Sequence, residues 1–599
     1  MRTTLTFAAS ALLAGQIASA SGHDDWEEEF SPPPFVMTTA PTGGVRPAAS
    51  APAYLTGSRL VALGDGAAAL VVDADSGLLI RTDRGGAKVG ELAIGSDAAL
   101  LAYDDTSRRA YVADRRGDRI VLVHVGDELV VSGAWRTPAE PYGVALMPDR
   151  GTLLVTTIAD RTLVAFDTTS GRERWRVALG PEPRGIAIAP DGSRAAVASL
   201  ASGAVEQVAL GEVAASARHA RKLALPVVLD GQHARGAFAA MFVGDQLVTP
   251  YQLHVPVARF PSGDHYGGGV APPVTHHLAW LAPDGRRGLA QTNVQEPRAL
   301  AWDAARDTLY VAGFASDQLV AVSRASQVDI GEGEPLALRQ RCGADGVAIT
   351  PGGSVLVWCS FTRSIARFDI DKRGRLGKVQ RGRELAPSAL DAQRHEGFVL
   401  FHSANDHLSS FGALSCGNCH LDARTDGLSW RIEDRTLQTP ILAGRLAKET
   451  APFKWDGTAP DLTTSLRRTI RRLGGSGLAK RHVASLVAYL ETLPPVRTPA
   501  RGAAAVARGK RLFDSAELGC ASCHEGTLYT DGVRHGLTGG FETPSLLGLA
   551  ASAPYFHDGS AATLEAVLRD RDKVHGMADA AKALDARSLA DLVVFLETL

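Results

Sequence analysis

The chain has 599 residues, too many for one hydrophobic core, so we expect two to four domains. Its formal net charge of -2 is nearly balanced, which argues against nucleic acid or an anionic membrane surface as a partner. The chain holds 62 glycines and only 21% charged residues, a composition that suits a β-rich protein with many turns.

The amino terminus predicts an exported protein. Residues 5–20 are apolar and end in Ala18-Ser19-Ala20, which is typical of a secretory signal peptide over residues 1–20; a membrane anchor is the alternative. Residues 21–52 are rich in Pro, Ser, Thr and Ala and predict a disordered linker. Because no later stretch reaches 18 consecutive apolar residues, we expect no membrane span in the mature chain and a periplasmic or extracellular location.

Residues 53–380 repeat one phrase, Pro-x-Gly-aliphatic-Ala, followed by a turn and an apolar strand. Two copies begin at Pro141 and Pro183, 42 residues apart, and two begin at Pro297 and Ala344, 47 residues apart. Short strands that recur at this period predict an all-β propeller of about seven blades. The phrase resembles the YVTN and lactonase-like propellers, and this resemblance implies a fold without fixing a function.

Residues 211–294 fit the repeat poorly and contain a group of histidines and tyrosines. Their spacing matches no metal template, so we interpret them as a loop over the propeller face, with a metal site as the alternative. The residues concerned are Tyr251, His254, His265, Tyr266, His276 and His277. Further along, Cys342 and Cys359 lie in a strand–turn–strand pattern and predict a disulfide bond; two buried thiols are the alternative.

Two copies of a C-x-x-C-H motif stand in the last third of the chain. This is the attachment sequence of c-type haem, because two thiols add to the porphyrin vinyl groups and the adjacent histidine binds the iron. Zinc and redox cysteines are the alternatives. We predict two covalently bound haem c groups, attached to Cys416, Cys419, Cys520 and Cys523, with the proximal iron ligands His420 and His524.

The two motifs lie in matching repeats. They are 104 residues apart, residues 451–457 match residues 553–559 at an offset of 102, and both repeats close on an apolar-periodic helix. A near-constant offset over several landmarks indicates duplication. We therefore predict two tandem all-α cytochrome c domains, over residues 381–499 and 500–599.

Residues 390–599 resemble the bacterial di-haem cytochrome c peroxidase family, which includes the MauG-like oxidases. Besides the haem motifs, the resemblance rests on Thr439-Pro440 and on residues 453–457, 543–546 and 553–560. It implies that the carboxy-terminal haem collects electrons and that the amino-terminal haem meets peroxide. It also implies a calcium ion between the two haem domains.

The second axial ligands are predicted to differ between the haems. Met577, the one methionine after residue 241, is the expected second ligand of the His524 haem; His575 is the rival, and core packing is the alternative. At the matching offset the first domain has Leu473-Gly474-Gly475, none of which binds iron. The first haem must therefore find another ligand or remain open.

The first haem lacks the peroxide-handling residues that the resemblance implies. Residues 421–454 contain no histidine, and residues 458–478 contain neither glutamine nor glutamate. His402 and His407 are possible ligands or structural histidines, and Trp430 or Trp455 could assist electron transfer or simply pack in the core. Peroxide cleavage needs an acid or base; the nearby candidates, each alternatively a structural or surface residue, are Asp426, Trp430, Arg431, Glu433 and Asp434.

We therefore expect a propeller followed by two haem domains that act as a peroxidase-like or MauG-like oxidoreductase, with electrons entering at the carboxy-terminal haem. The alternative is a non-enzymatic electron-transfer cytochrome whose propeller docks a partner protein. A third possibility is a dehydrogenase site in the propeller that feeds the haems. The expected redox partner is a small cytochrome or a cupredoxin.

Overall fold

The computed structural model of the protein describes residues 57–64, 68–211, 218–256, 272–327, 334–338, 341–371, 374–432, 434–446, 448–535, 540–569, 581 and 583–599. The predicted signal peptide and linker lie outside the described residues, as do His265, Tyr266, Glu433, His575 and Met577. The expectations stated for these segments and residues therefore remain predictions.

Seven antiparallel sheets follow one another along the chain, each built from consecutive strands, and the predicted β-propeller is confirmed with seven blades. The first four blades comprise β1 (Leu60–Ala62), β2 (Ala69–Asp73), β3 (Leu78–Thr82), β4 (Lys88–Ala93), β5 (Ala98–Asp104), β6 (Arg109–Asp114), β7 (Arg119–Val125), β8 (Leu129–Arg136), β9 (Pro141–Leu146), β10 (Thr152–Thr157), β11 (Thr162–Asp167), β12 (Glu173–Ala178), β13 (Pro183–Ile188), β14 (Arg194–Ser199), β15 (Ala204–Ala209) and β16 (Ala220–Ala224). The last three comprise β17 (His233–Arg235), β18 (Met241–Val243), β19 (Gln246–His254), β20 (Val274–Leu281), β21 (Arg287–Gln291), β22 (Pro297–Asp303), β23 (Thr308–Gly313), β24 (Gln318–Ser323), β25 (Glu334–Ala337), β26 (Ala344–Ile349), β27 (Ser354–Cys359), β28 (Ser364–Asp369) and β29 (Gln380–Arg381).

The repeated Pro-x-Gly phrase forms innermost strands, and close packing explains its glycine. A Cβ at Gly143 of β9 would lie 2.3 Å from the carbonyl oxygen of Arg184 in the next blade, so no larger residue fits. Thr156 bridges the same two blades: its hydroxyl accepts from the Gly143 N–H and donates to the Arg184 carbonyl, both at 2.8 Å. The sequence phrase thus marks where neighbouring blades meet.

The last blade carries the predicted disulfide, which is confirmed. Cys342 and Cys359 are bonded, with their Cα atoms 4.4 Å apart, and tie the loop before β26 to the end of β27. The propeller closes because this blade packs against the first one: Leu356 and Trp358 share a buried cluster with Leu60 and Val71. The inner strands surround an axial cavity of about 260 Å³.

Two helical repeats follow the propeller. Among the described residues the α-helices are α1 (Ala392–His402), α2 (Cys416–Cys419), α3 (Leu462–Arg472), α4 (Lys480–Leu490), α5 (Ala503–Phe513), α6 (Leu564–Arg569) and α7 (Ala586–Leu596). Each repeat also holds a short hairpin, formed by β30 (Ser429–Ile432) with β31 (Arg435–Gln438) and by β32 (Arg534–His535) with β33 (Phe541–Glu542). The repeats are therefore mainly rather than purely α-helical.

Equivalent aromatic pairs hold the first and last helix of each repeat together. Phe401 of α1 packs on Tyr489 of α4 with ring centroids 5.7 Å apart, and Phe513 of α5 packs on Phe595 of α7 at 5.3 Å. These pairs bury large apolar area at the same place in both repeats. The apolar periodicity that predicted the closing helices thus corresponds to real packing faces.

The propeller and the helical repeats belong to one compact unit, joined by buried ion pairs over the propeller axis. Asp422 follows the first C-x-x-C-H motif and accepts from Arg184 Nε at 3.2 Å and Nη2 at 3.1 Å. Arg298 Nη1 lies 3.8 Å from the same carboxylate, and Arg424 Nη1 donates to Glu182 at 2.9 Å. Burial opposes ionisation of Asp422, but these guanidinium charges outweigh it and hold the pKa of that carboxyl well below its ordinary value.

Replacing Asp422 with asparagine should destabilise the protein by about 3 kcal/mol, because removing one partner of a buried ion pair leaves the other charge uncompensated. A carboxyl with a lowered folded pKa stabilises the fold above its unfolded pKa of about 3.9, and this contribution is lost as pH falls. Denaturant unfolding at pH 7 and at about pH 3, below the unfolded pKa, measures both effects. Asp284→Asn, which removes an exposed partner of Arg286, is the control and should leave the unfolding midpoint unchanged; an equal loss in both variants would contradict this account.

Candidate haem-binding sites

The second C-x-x-C-H motif opens onto a cavity of about 370 Å³. Cys520–Ser522 form a 3₁₀ turn that brings both cysteines and His524 to the cavity wall. The rest of the lining is mainly apolar and includes Phe513, Leu518, Leu546, Tyr555, Leu564 and Leu568. A large apolar cavity with two thiols and one imidazole on its wall matches what a covalently attached porphyrin requires.

The orientation of His524 also fits iron ligation. Its Nδ1 lies 3.0 Å from the carbonyl oxygen of Tyr529 and donates to it, which leaves the Nε2 lone pair available for a metal. Burial lowers the pKa of His524, so the imidazole is neutral, as ligation requires. Burial also raises the pKa of the Cys520 thiol, so the free thiol is protonated at neutral pH. The residues present therefore fit haem c.

The first motif rests on the propeller. It forms α2, and the Ser415 hydroxyl before it donates to Glu296 Oε1 at 2.5 Å. A Cβ at Gly417 would lie 2.4 Å from that same oxygen, so glycine between the two cysteines lets the helix lie against Glu296. Burial raises the pKa of Cys416 to about 12 and lowers the pKa of His420 to about 4. The first motif thus has the same protonation states as the second, and they suit thioether attachment and a neutral proximal histidine.

The two histidines considered as iron ligands have other partners. His402 is buried among Phe314, Phe398 and Phe401, and its Nδ1 lies 3.9 Å from Glu296 Oε2. His407 Nδ1 lies 2.9 Å from the Ser476 hydroxyl on an exposed surface. Both positions favour the structural interpretation of these histidines.

The remaining candidates separate into surface and buried residues. Arg431 and Asp434 are exposed, and Glu433 lies outside the described residues. Trp430 is 5% exposed and Asp426 is fully buried, and Trp430 Nε1 donates to Asp426 Oδ2 at 2.8 Å. Trp430 therefore faces the buried side of its hairpin.

The histidine-rich insertion is not a loop where it is described. Tyr251 and His254 belong to β19, and His276 and His277 belong to β20, inside the fifth blade. The loop interpretation was wrong for these four residues because strands buried on both faces lose the polar–apolar alternation that identifies strands. Burial lowers the pKa of His276 to about 3, so the histidine is neutral in the fold. No three of these four residues cluster as metal ligands; in the described parts of the chain the one such group is Cys523, Asp531 and His535, and it includes a haem-attachment cysteine.

The two helical repeats exchange equivalent hydrogen bonds. The Gln438 N–H donates to the His557 carbonyl at 2.7 Å, and the Glu542 N–H donates to the Trp455 carbonyl at 3.0 Å. Gln438 matches Glu542 at an offset of 104, and Trp455 matches His557 at an offset of 102. The repeats therefore face each other about an approximate two-fold axis. Trp455, a side chain of the first repeat, also lines the cavity of the second motif.

Two partly buried titratable residues gave no signal in the sequence. Burial lowers the pKa of Lys454 to about 7, and its Nζ donates to Thr469 at 2.6 Å. Burial raises the pKa of Glu542, on the wall of the second cavity, to about 8. Aligning the sequences of the two repeats would have identified both residues, because Lys454 aligns with Phe556 and Glu542 aligns with Gln438.

Replacing Glu542 with glutamine should flatten the pH dependence of stability. A carboxyl whose folded pKa is raised stabilises the fold below its ordinary pKa of 4.5, and this contribution is lost as pH rises through about 8. Glutamine stays neutral, and the first repeat already has it at this position. Urea unfolding at pH 5 and pH 8 provides the measurement, with exposed Glu565→Gln as the control; a variant that keeps the wild-type decline would disprove the assignment.

None of the described helices is both long and apolar enough to cross a membrane. A family model described as RoxA-like, cytochrome c-like matches residues 540–575. Hydrazine synthase subunit gamma of Kuenenia stuttgartiensis is 25% identical over 258 residues, which cover 31% of this chain and 72% of that protein. A solved structure of Kuenenia stuttgartiensis hydrazine synthase covers 54% of this chain and 95% of its own at 15% identity, with a TM-score of 0.41, too low to carry an argument.

Methylamine utilization protein MauG of Methylorubrum extorquens is 30% identical over 265 residues, which cover 32% of this chain and 74% of that protein. Together with the cytochrome c-like match, this makes the chain a cytochrome c-type redox protein with haem c as its cofactor. The chain belongs to the MauG family.

Proposed function

We propose that the protein is an exported di-haem oxidoreductase. The two haem c groups are attached at Cys416/Cys419 and Cys520/Cys523, in tandem cytochrome c domains over residues 381–499 and 500–599. The main support is the pair of equivalent motifs in two repeats that face each other, one of them opening onto an apolar cavity. Haem c supplies an iron that exchanges single electrons and, where an axial position is open, binds peroxide or oxygen.

The second site is the proposed entry point for electrons. Its apolar lining excludes water, and the Tyr529 carbonyl holds the His524 ring in place. Met577 is the proposed second iron ligand. An enclosed histidine–methionine site favours electron transfer over substrate binding.

The first site is the proposed place of reaction. Lys454 occupies the repeat position of Phe556, which lines the second cavity, so we place the Lys454 amine toward the first haem. An amine whose pKa is about 7 can hold or release a proton at neutral pH. Lys454 thus supplies the first site with an acid–base group, which the exposed Arg431 and Asp434 do not provide.

Trp455 is the proposed route between the sites. Its backbone belongs to the first repeat, its side chain lines the second cavity, and its Nε1 donates to the Gln438 carbonyl at 2.8 Å. A fixed aromatic ring between two redox centres shortens the distance that an electron must cross. A small cytochrome or a cupredoxin is the proposed external donor, and the periplasm is the proposed location.

The competing proposal is an electron-transfer cytochrome without catalysis, and one observation favours it. Residues 458–478 lack the glutamine and glutamate that peroxide handling in this family implies. Docking of a partner on the propeller would need a face other than the one that Asp422 and Arg424 cover. The calcium ion between the domains remains a prediction.

Optical and EPR spectroscopy of the purified holoprotein separates the two proposals. We expect two haems per chain, and we expect one of them to be high-spin, or to become so on half-reduction, and to react with carbon monoxide and hydrogen peroxide. Met577→Ala should change the axial ligation of the second haem alone, and Leu584→Ala, seven positions further along the chain, is the control. Two low-spin haems that react with neither carbon monoxide nor hydrogen peroxide would overturn the enzymatic proposal.

Replacing Trp455 with phenylalanine should slow electron transfer between the haems at least tenfold, because phenylalanine cannot be oxidised at biological potentials. Stopped-flow reduction of the oxidised protein, followed at the two haem absorption bands, gives the rate. Trp175→Phe on the outer edge of the third blade is the control. An unchanged rate would exclude Trp455 from the route.

A further inference from the structure

The two repeats contain equivalent pairs of a carboxylate and an aromatic ring. Trp430 Nε1 donates to Asp426 Oδ2 at 2.8 Å, and His535 Nε2 lies 2.8 Å from Asp531 Oδ2. Both residues of one pair match the other pair at an offset of 105. Both repeats therefore hold a ring nitrogen within hydrogen-bond distance of a carboxylate. The ring is an indole in the first repeat and an imidazole in the second.

The propeller buries only the first pair. Asp426 is 0% exposed, whereas the side chain of His535 in the second pair is 38% exposed. His254 of β19 places Nδ1 3.4 Å from Asp426 Oδ2, and its ring centroid lies 5.7 Å from that of Trp430. Arg235 of β17 donates from Nε to the Asp426 carbonyl oxygen at 2.6 Å. The fifth blade thus contacts Asp426 at both its side-chain carboxylate and its backbone carbonyl.

The buried indole lies beside the first haem-attachment site. Trp430 packs in one apolar cluster with Leu414, Leu428, Val274 and Cys419. A porphyrin bonded to Cys419 would therefore have its edge next to this ring. Proximity within a buried apolar cluster favours single-electron exchange between the two.

The carboxylate makes the indole easier to oxidise. A negative charge at hydrogen-bond distance stabilises a positive charge on the ring, and the stabilisation grows in a buried site of low dielectric constant. The hydrogen bond to Asp426 Oδ2 also gives the Nε1 proton an acceptor when the indole is oxidised. The His535 pair lacks both the indole and the burial.

We propose that Trp430 is a redox-active residue that stores one oxidising equivalent beside the first haem, an inference that rests on the proposed function. A haem attached at Cys416 and Cys419 and oxidised by a hydroperoxide would supply the oxidant, and the indole would lose one electron to it. The Nε1 proton passes to Asp426 Oδ2, leaving a neutral indolyl radical and a neutral carboxyl group. His254 is a positioning residue that acts through Asp426.

Freeze-quench EPR of the holoprotein tests this in two arms, one with hydrogen peroxide and one with the one-electron oxidant hexachloroiridate(IV). We expect a radical whose spectrum narrows when the protein contains ring-deuterated tryptophan. Trp430→Phe should abolish the signal, and Asp426→Asn should lower its yield about tenfold, because a charge-assisted hydrogen bond is lost. Trp430→Tyr should replace it with a tyrosyl spectrum.

His254→Gln should lower the radical yield while leaving haem content and the optical spectrum unchanged, and Trp175→Phe on the outer edge of the third blade should leave the radical at full yield. A tryptophan signal of wild-type size in Trp430→Phe, with both haems attached, would overturn the proposal. The two arms distinguish a failure of the proposed function from a failure of the proposed role of Trp430. No reaction with peroxide alone would refute the proposed function, whereas no radical with hexachloroiridate(IV) would refute the role of Trp430.

Discussion

Buried charge over the propeller axis determines how the two halves of the molecule fit together. Asp422 and Arg424 leave water only because Arg184, Arg298 and Glu182 are placed to neutralise them. Burying any of these charges without its partner would cost free energy. A small shift between the two halves of the molecule would break several of these ion pairs at once. The docking therefore has little freedom, and the first C-x-x-C-H motif, which directly precedes Asp422, takes its position from the propeller.

The two motifs share a sequence pattern but not an environment. The first one lies on Glu296, which accepts from Ser415 and fills the space above Gly417. The second faces an apolar cavity completed by Trp455 from the other repeat. Duplication supplied two copies of the motif, and unequal contacts with the propeller give the copies different environments.

Local rules predicted much of the fold, and contacts between distant residues account for what was missed. The number of blades could be predicted from the repeated glycine phrase, because a glycine such as Gly143 is needed where two neighbouring blades approach closely. The disulfide between Cys342 and Cys359 likewise follows from the strand–turn–strand spacing. Asp422 gave no signal, since its partner Arg184 is 238 residues away. The histidines of β19 and β20 were misassigned because burial on both faces removes the alternation of a strand.

The propeller forms one wall around the first C-x-x-C-H motif. Its axial face is covered by the first repeat, and the fifth blade extends β19 and β20 until His254 reaches Asp426. Those contacts bury the carboxylate–ring pair of the first repeat, whereas His535 of the matching pair lines the cavity of the second motif. A module that served only to recruit partners would have no reason to bury a carboxylate so close to the Cys419 attachment point. Burying one of two duplicated carboxylate–ring pairs gives the two repeats different local environments.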